Sequence, residues 1–189
     1  MITKKWNEKF KRPIVCFDFD DVLSDFLGLI IDLYNKRMNT SLSCEDVKDW
    51  DLGKVGKIKV FNQILNSKDF WDQIREKGNS MSVLQRLIND GRYDIYIITD
   101  CNHIYEYEKK VNFILRHVPG FNPSRIIPCK DKALIRGDIL IDDKLDNCKE
   151  CSEFMDIILM DMPHNRDCDE FIRVKQLEEV PALLETIFY

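Results

Sequence analysis

Short apolar runs rich in Ile and Val recur along the chain and alternate with stretches of helical periodicity. These runs occupy residues 14–17, 95–98, 125–127, 139–141 and 157–160. Runs this short and this apolar are typical of strands that a parallel sheet buries on both faces. The alternation of strand and helix patterns therefore predicts an α/β fold with a doubly wound, mainly parallel sheet.

Amphipathic helices are predicted between several of these strands. Apolar residues recur at helical spacing over 23–34, 81–88 and 104–118. Asn79 is the predicted N-cap of the second of these helices, and Gly91 is its predicted end.

One interval is too long for a simple crossover between neighbouring strands. Between residues 22 and 78 the sequence has no strand pattern. It has four helical patterns instead, at 24–37, 43–50, 56–66 and 69–76. We predict a small helical cap, residues 25–78, inserted after the first strand. The α/β core would then comprise residues 1–24 and 79–189.

Composition and charge narrow the class of partner. The chain has 189 residues, a net charge of −5 and no basic tract, which disfavours a nucleic-acid polymer or an anionic membrane as a partner. No segment approaches the roughly 18 apolar residues of a membrane span. The first 13 residues, MITKKWNEKFKRP, lack the apolar run of a signal peptide. We therefore expect a cytoplasmic location.

The seven cysteines are spaced irregularly, which suits free thiols in a reducing compartment. Cys148 and Cys151 form a CxxC pair, so a zinc or redox site has to be considered. No second CxxC or nearby CxxH completes a tetrahedral zinc site. We expect the two thiols to be structural residues of a helix.

Polar residues cluster at or near the ends of three predicted strands. The set consists of Asp18, Asp20, Thr99, Lys132, Asp142 and Asp143. In an open parallel sheet, ligands bind beyond the carboxyl ends of the strands. We therefore expect these residues to converge on one rim of the sheet, although they are far apart in sequence.

So many acidic groups on one rim require a cation. Two carboxylates about 4 Å apart repel by roughly 4 kcal/mol at a surface-like dielectric constant. An all-oxygen ligand set favours Mg²⁺, which readily takes a substrate phosphate as a further ligand. Lys132 can offset remaining charge, and Thr99 can donate to a phosphoryl oxygen. One of Asp18 and Asp20 can attack phosphorus while the other handles the proton of the leaving group.

The order of these residues resembles the haloacid dehalogenase-like phosphohydrolases. The segments DFDDVLSDF and KALIRGDILIDD, together with MPHNR at 162–166, resemble the 5'(3')-deoxyribonucleotidases of that superfamily. The resemblance implies the Rossmann-like core of that superfamily. It also implies a Mg²⁺-dependent phosphoric monoester hydrolase that acts on deoxynucleoside or nucleoside monophosphates.

The resemblance also implies roles for the acidic residues. Asp18 would be the nucleophile that becomes an aspartyl-phosphate, and it would also bind the metal. Asp20 would be the general acid and base, and its backbone carbonyl would bind Mg²⁺. Asp143 would complete the metal site, together with Asp142 through a water molecule.

The same resemblance implies the groups that hold the substrate. Thr99 and Lys132 would hold the phosphate, Phe26 would line the nucleoside pocket, and Trp50 of the cap would stack on the base. A homodimer with a contribution from the cap is a further expectation.

Three positions depart from the family pattern. Asp21 stands where many relatives have Gly, and Asp100 follows Thr99 where the nucleotidases tend to have a small hydroxyl residue. Among the cap residues, Leu65 can replace an aromatic.

Three other functions are compatible with parts of the pattern. The same chemistry can act on a sugar phosphate or another small phosphoester, and the cap decides between these substrates. A signalling receiver domain also uses acids, a Thr and a Lys at strand ends, but its acid pair comes first in the chain. A non-catalytic module that binds phosphometabolites is the third alternative.

Overall fold

All five predicted strands pair into one parallel sheet. A computed structural model describes residues 12–189 of the chain. The strands are β1 Ile14–Phe17, β2 Asp94–Thr99, β3 Ile126–Pro128, β4 Ile139–Asp142, β5 Asp156–Met160 and β6 Ile172–Val174. Their order in the sheet is β3-β2-β1-β4-β5-β6, and every pairing is parallel. The predicted α/β fold class is confirmed.

Strand β6 was not predicted. It has three residues, and its first residue, Ile172, is half exposed. An edge strand this short has no apolar run that distinguishes it from a loop.

Seven helices accompany the sheet in the described part of the chain. They are α1 Phe26–Met38, α2 Ile58–Leu65, α3 Lys68–Asp72, α4 Ser80–Asp90, α5 Ile104–His117, α6 Leu145–Cys151 and α7 Val180–Phe188. Helix α4 ends at Gly91 as predicted, because this residue adopts the left-handed conformation (φ 71°) that glycine tolerates. Asn79 occupies the N-cap position, but its side chain donates to Glu178 instead of capping the helix.

The helix predicted over 43–50 does not form. The segment contains only a 3₁₀ turn, Cys44–Asp46. The Asp46 carboxylate accepts hydrogen bonds from the backbone N–H and the hydroxyl of Ser43, and this local turn replaces a longer helix. Helix α3 is also shorter than predicted, since it ends at Asp72 and not at residue 76.

Helices α1 to α3 share a hydrophobic cluster of their own. Tyr34 of α1 stacks on Phe61 of α2, with ring centroids 4.1 Å apart. A separate cluster around β1, β2 and β4 forms the core beside the sheet. The domain boundaries proposed from the sequence, with a cap at 25–78, stay a prediction, and residues 1–11 of the core segment lie outside the described residues.

The cysteines of the described chain are free thiols, and Cys148 and Cys151 are buried in α6. Among the helices of residues 12–189, none is long and apolar enough to cross a membrane. The N-terminal segment considered for a signal peptide lies almost entirely outside the described residues.

Strand register sets the position of the acidic residues. Phe17, the last residue of β1, pairs with Ile97 of β2 and with Ile141 of β4. The backbone N–H of Asp18 donates to the carbonyl of Ile141 at 2.8 Å. Asp18 therefore leaves the sheet directly beside Asp142.

Candidate active site

Asp18 lies at the floor of the site, paired with a buried lysine. Its Oδ1 is 2.6 Å from the Nζ of Lys132, which lies in a 3₁₀ turn after β3. The same Nζ donates to Oδ2 of Asp142 at 2.6 Å. Burial acts to lower the pKa of Lys132, but the two carboxylates outweigh it and raise that pKa. Lys132 therefore stays charged between the two acids.

Three carboxylates meet at this point. One oxygen from each of Asp18, Asp142 and Asp143 lies within 4.8 Å of the others. The Oδ2 atom of Asp143 and the Oδ1 atom of Asp20 are buried, yet neither has a hydrogen-bond partner among residues 12–189. Unpaired buried carboxylate oxygens are costly, and an all-oxygen donor set suits a hard divalent cation. The residues therefore fit the metal that the family resemblance implies.

Burial raises the pKa values of two of these acids, Asp18 and Asp143. Burial raises the pKa of Asp18 well above its usual range, against the opposing charge of Lys132. Burial, followed by the charge of Asp142, raises the pKa of Asp143 to about 7. Protons thus compete with a cation for this cluster.

Asp142 and Asp143 differ in how far their oxygens are occupied. Asp142 accepts hydrogen bonds from the backbone N–H of Lys144 and from the amide of Asn147, besides its contact with Lys132. Both oxygens of the Asp142 carboxylate therefore already accept hydrogen bonds from the protein. Oδ2 of Asp143, in contrast, has no hydrogen-bond partner in the described part of the chain.

Asp20 is held by a residue that the sequence did not identify. Nζ of Lys110, on α5, donates to Oδ2 of Asp20 at 2.6 Å and is 3.1 Å from the Glu106 carboxylate. Lys110 is completely buried. Its spacing of four residues from Glu106 is typical of an exposed helical ion pair, so the sequence carried no signal for this role.

Thr99 lies beneath the site and does not line the cavity. It is fully buried, and its hydroxyl accepts a hydrogen bond from Lys110 at 2.9 Å. The predicted hydrogen bond from Thr99 to a phosphoryl oxygen stays a prediction.

A cavity of about 810 Å³ opens above these residues. Its apolar wall includes four side chains from the predicted insertion, namely Phe26, Trp50, Leu65 and Trp71. Phe26 is held edge-to-face against Phe70, with centroids 5.4 Å apart. A small-molecule site of this volume, with a few positively charged side chains and an aromatic wall, suits a ligand that has an anionic end and a flat ring at the other end.

His164 was also not among the site residues predicted from the sequence. Its ring lies 4.7 Å from the ring of Trp50 and its Nε2 is close to Asp143. Burial lowers the pKa of His164, which favours the neutral ring.

Comparison with known families identifies the chain. A family model described as "5' nucleotidase, deoxy (Pyrimidine), cytosolic type C protein" matches residues 12–187. The chain belongs to this family. It is accordingly a phosphoric monoester hydrolase with a haloacid dehalogenase-like core.

Curated relatives support the same family over nearly the whole chain. A 5'(3')-deoxyribonucleotidase of Bacillus subtilis is 30% identical over 176 residues, covering 92% of this chain and 99% of the relative. A 5'(3')-deoxyribonucleotidase of Clostridium acetobutylicum is 29% identical over 182 residues, covering 93% of this chain and 97% of the relative.

Solved structures share the fold at low sequence identity. An HAD family hydrolase of Deinococcus radiodurans, solved with bound phosphate and sodium, has a TM-score of 0.59 and 13% identity, covering 92% of this chain and 95% of its own. A haloacid dehalogenase-like family protein of Streptococcus pneumoniae has a TM-score of 0.59 and 14% identity, covering 92% and 99%. These similarities concern the fold.

The structure explains one departure of this nucleotidase from the family pattern. Asp21, where many relatives have Gly, has a φ of 55° in the left-handed region that favours glycine. Asp and Asn tolerate this region better than other side chains. The Asp21 carboxylate accepts a hydrogen bond from the backbone N–H of Leu27, the second residue of α1. Burial raises its pKa to about 8.

Proposed function

We propose that this protein is a Mg²⁺-dependent phosphatase that hydrolyses deoxynucleoside or nucleoside monophosphates through an aspartyl-phosphate at Asp18. One observation carries the proposal. Asp18 lies 2.6 Å from Lys132, in a cluster of three carboxylates at the floor of a cavity with aromatic walls. The names of the family and of the curated relatives support a deoxyribonucleotide as the substrate.

The metal would be held by oxygen ligands of this chain. We assign Asp18, Asp143 and the backbone carbonyl of Asp20 as direct ligands, with Asp142 acting through a water molecule. This division follows from hydrogen bonding, because the Asp142 carboxylate is occupied and Oδ2 of Asp143 is free. When bound, Mg²⁺ would neutralise negative charge on the phosphoryl oxygens.

The first chemical step forms the intermediate. A carboxylate oxygen of Asp18 attacks phosphorus, and the bond from phosphorus to the ester oxygen breaks. Asp20 gives its proton to that oxygen, so the nucleoside leaves as an alcohol. Lys132 balances negative charge beside Asp18 throughout this step.

The second step returns the enzyme to its starting state. A water molecule attacks phosphorus, and Asp20 accepts a proton from it. The bond from phosphorus to the Asp18 oxygen breaks and inorganic phosphate leaves. Each aspartate then has the protonation state with which it began, so the cycle closes without a further reactant.

The remaining predicted residues would hold the substrate. Phe26 and Trp50 line the cavity, which has room for a nucleoside, and the resemblance places the base against Trp50. Lys132 and Thr99 remain the residues proposed to hold the phosphate. The cytoplasmic location and the homodimer stay predictions.

A sugar phosphate or another small phosphoester is the second candidate substrate. Polar side chains share the cavity wall with the aromatic rings, namely Asn66, Asn102 and His103. Such groups can hydrogen-bond sugar hydroxyls as well as the edge of a base.

Phosphate release from a panel of phosphomonoesters tests the proposal. We expect the purified protein to hydrolyse deoxynucleoside monophosphates with Mg²⁺ and to be inactive with a chelator or as Asp18→Asn. Release from sugar phosphates alone would favour the second candidate. A wild-type protein that releases no phosphate from any member of the panel would contradict both.

A further inference from the structure

We propose that His164 is a positioning residue that connects Trp50, on the wall of the cavity, to Asp143 of the metal cluster. The inference deepens the proposed function and rests on it. It concerns the MPHNR segment at 162–166, whose residues take no part in the proposed chemical steps.

The first contact of His164 is with the backbone of Asp143. Nε2 of His164 lies 3.3 Å from the Asp143 carbonyl oxygen, in the direction of a hydrogen bond. The same nitrogen is 3.1 Å from Oδ2 of Asp143, but this contact lacks the direction of a hydrogen bond. The ring therefore restrains Asp143 on one side, while Oδ2 of Asp143 has no hydrogen-bond partner within residues 12–189.

A second donor fixes the same carbonyl. Nδ2 of Asn165 donates to the Asp143 carbonyl at 2.7 Å and to the Met160 carbonyl at 2.8 Å. Arg173 in turn donates to Oδ1 of Asn165 at 2.6 Å. The turn Pro163–Asn165 is thus tied to the ends of both β4 and β5. Outer residues of this kind, which orient a metal ligand, commonly change metal affinity when they are substituted.

The second contact of His164 is with the cavity wall. The ring centroids of His164 and Trp50 are 4.7 Å apart, with the planes tilted by 55°. Trp50 is 38% exposed and lines the cavity, whereas the His164 side chain is only 3% exposed. His164 therefore supports the indole from behind, on the side away from the substrate.

A charged pair joins the same two regions. Arg166, two residues after His164, donates to both carboxylate oxygens of Glu45 at 2.5 and 2.8 Å. Glu45 lies in the 3₁₀ turn that precedes Trp50. The segment after β5 therefore contacts the Trp50 side of the insertion through an exposed ion pair, which adds to the His164 contact but contributes little stability by itself.

An imidazole supplies two different properties at this position. Its N–H donates to Asp143, and its flat face packs against Trp50. Glutamine retains a donor of similar reach and lacks the ring, while phenylalanine retains the ring and lacks the donor. The two variants therefore separate the contact with the metal cluster from the contact with the cavity wall.

The experiment measures Mg²⁺ affinity by calorimetry without substrate. It also measures kcat and KM for deoxythymidine monophosphate at saturating Mg²⁺. We expect His164→Phe to weaken Mg²⁺ binding by about 10- to 100-fold and to leave KM close to the wild-type value. We expect His164→Gln to retain Mg²⁺ binding and to raise KM by roughly 2- to 10-fold, the effect of one lost ring contact. His117→Gln is the matched control and should change neither quantity, because His117 lies outside the cavity lining and its Nδ1 hydrogen-bonds the carbonyl of Phe113.

Wild-type values of both Mg²⁺ affinity and KM in the two folded His164 variants would overturn the inference. If the phenylalanine variant does not fold, His164→Leu, which lacks both the donor and the ring, should weaken Mg²⁺ binding and raise KM together. Wild-type Mg²⁺ affinity in a folded His164→Leu would contradict the inference. A wild-type protein that binds Mg²⁺ but hydrolyses no phosphomonoester would refute the proposed function alone, since weaker Mg²⁺ binding by His164→Phe would still support the role of His164 at Asp143.

Discussion

Nζ of Lys110 lies 2.6 Å from Oδ2 of Asp20, in a position that solvent does not reach. The same ammonium group donates to the hydroxyl of Thr99 and to the carbonyl of Asp100, both at 2.9 Å. It also lies 5.0 Å above the ring of Trp71, which belongs to the insertion. Lys110 of α5 therefore contacts both Asp20, the residue proposed to transfer protons, and Trp71 of the cavity wall.

Substitution of Lys110 should impair catalysis more than binding. We expect Lys110→Met to lower kcat by about 100-fold, the lower end of the contribution of a positioned acid or base, with little change in KM. The substitution also leaves Glu106 as an unpaired buried charge, which costs about 3–5 kcal/mol of stability. The double variant Lys110→Met, Glu106→Gln should regain stability and stay slow. Chemical denaturation and steady-state kinetics measure both effects, and a wild-type kcat in the double variant would refute the role of Lys110.

Substitution of Asp20 should separate the two chemical steps. We expect Asp20→Asn to slow hydrolysis of a nucleotide by about 10²- to 10⁴-fold, because the alkoxide leaving group of the nucleotide needs a proton. With p-nitrophenyl phosphate the leaving group needs no proton, so the first step should stay fast and the second should become slow. Rapid-mixing kinetics should then show a burst of one nitrophenolate per active site. Equal slowing of both substrates without a burst would show that Asp20 has another role.

Stability without metal should fall as pH rises. The pKa values of Asp143, about 7, and Asp21, about 8, lie above the ordinary 3.8 of an aspartate. The native state therefore binds more protons than the unfolded chain between about pH 4 and pH 8, so the free energy of unfolding decreases with pH across this window. Mg²⁺ should raise the melting temperature more at about pH 8 than at about pH 5, since fewer protons then compete with it. Thermal melts at several pH values test the sign.

Asp21→Asn serves as the control for that measurement. Asparagine tolerates the left-handed backbone and can accept the hydrogen bond from Leu27, but it does not titrate. We expect this variant to melt with a weaker pH dependence than the wild type. A metal-free protein whose stability increases from pH 5 to pH 8 would contradict the raised pKa values.

Asp100 should weaken substrate binding through its charge. It lines the cavity, at a position where the family resemblance implies a small hydroxyl residue. One like charge at about 4 Å in water costs about 1 kcal/mol, which corresponds to roughly a fivefold change in affinity. We expect Asp100→Ser to lower KM by that factor and Asp169→Ser, at an exposed position outside the cavity, to leave KM unchanged. A raised KM in Asp100→Ser would show that Asp100 contributes to binding.

Much of the fold and the position of the acids followed from the sequence, because a parallel sheet brings the carboxyl ends of its strands to one edge. Asp18, Asp142 and Asp143 could be predicted to meet on that basis alone. Lys110 and His164 could not be, since each lies in a segment whose pattern fits an ordinary surface or core position. Their roles depend on the packing of the insertion against the core, which periodicity does not describe. The absent helix at 43–50 has a local cause, because the two hydrogen bonds that Asp46 accepts from Ser43 outweigh the periodic pattern.

The central claim is that Asp18 is the nucleophile that bonds to phosphorus, and that the acidic cluster holds Mg²⁺ beside it. A crystal structure with Mg²⁺ and beryllofluoride, a mimic of the phosphoryl group, tests this claim most directly. We predict electron density for beryllofluoride bonded to a carboxylate oxygen of Asp18, in contact with Lys132, with Mg²⁺ bound to Asp143. Beryllofluoride bonded to Asp20, or Mg²⁺ bound away from Asp18 and Asp143, would contradict the account.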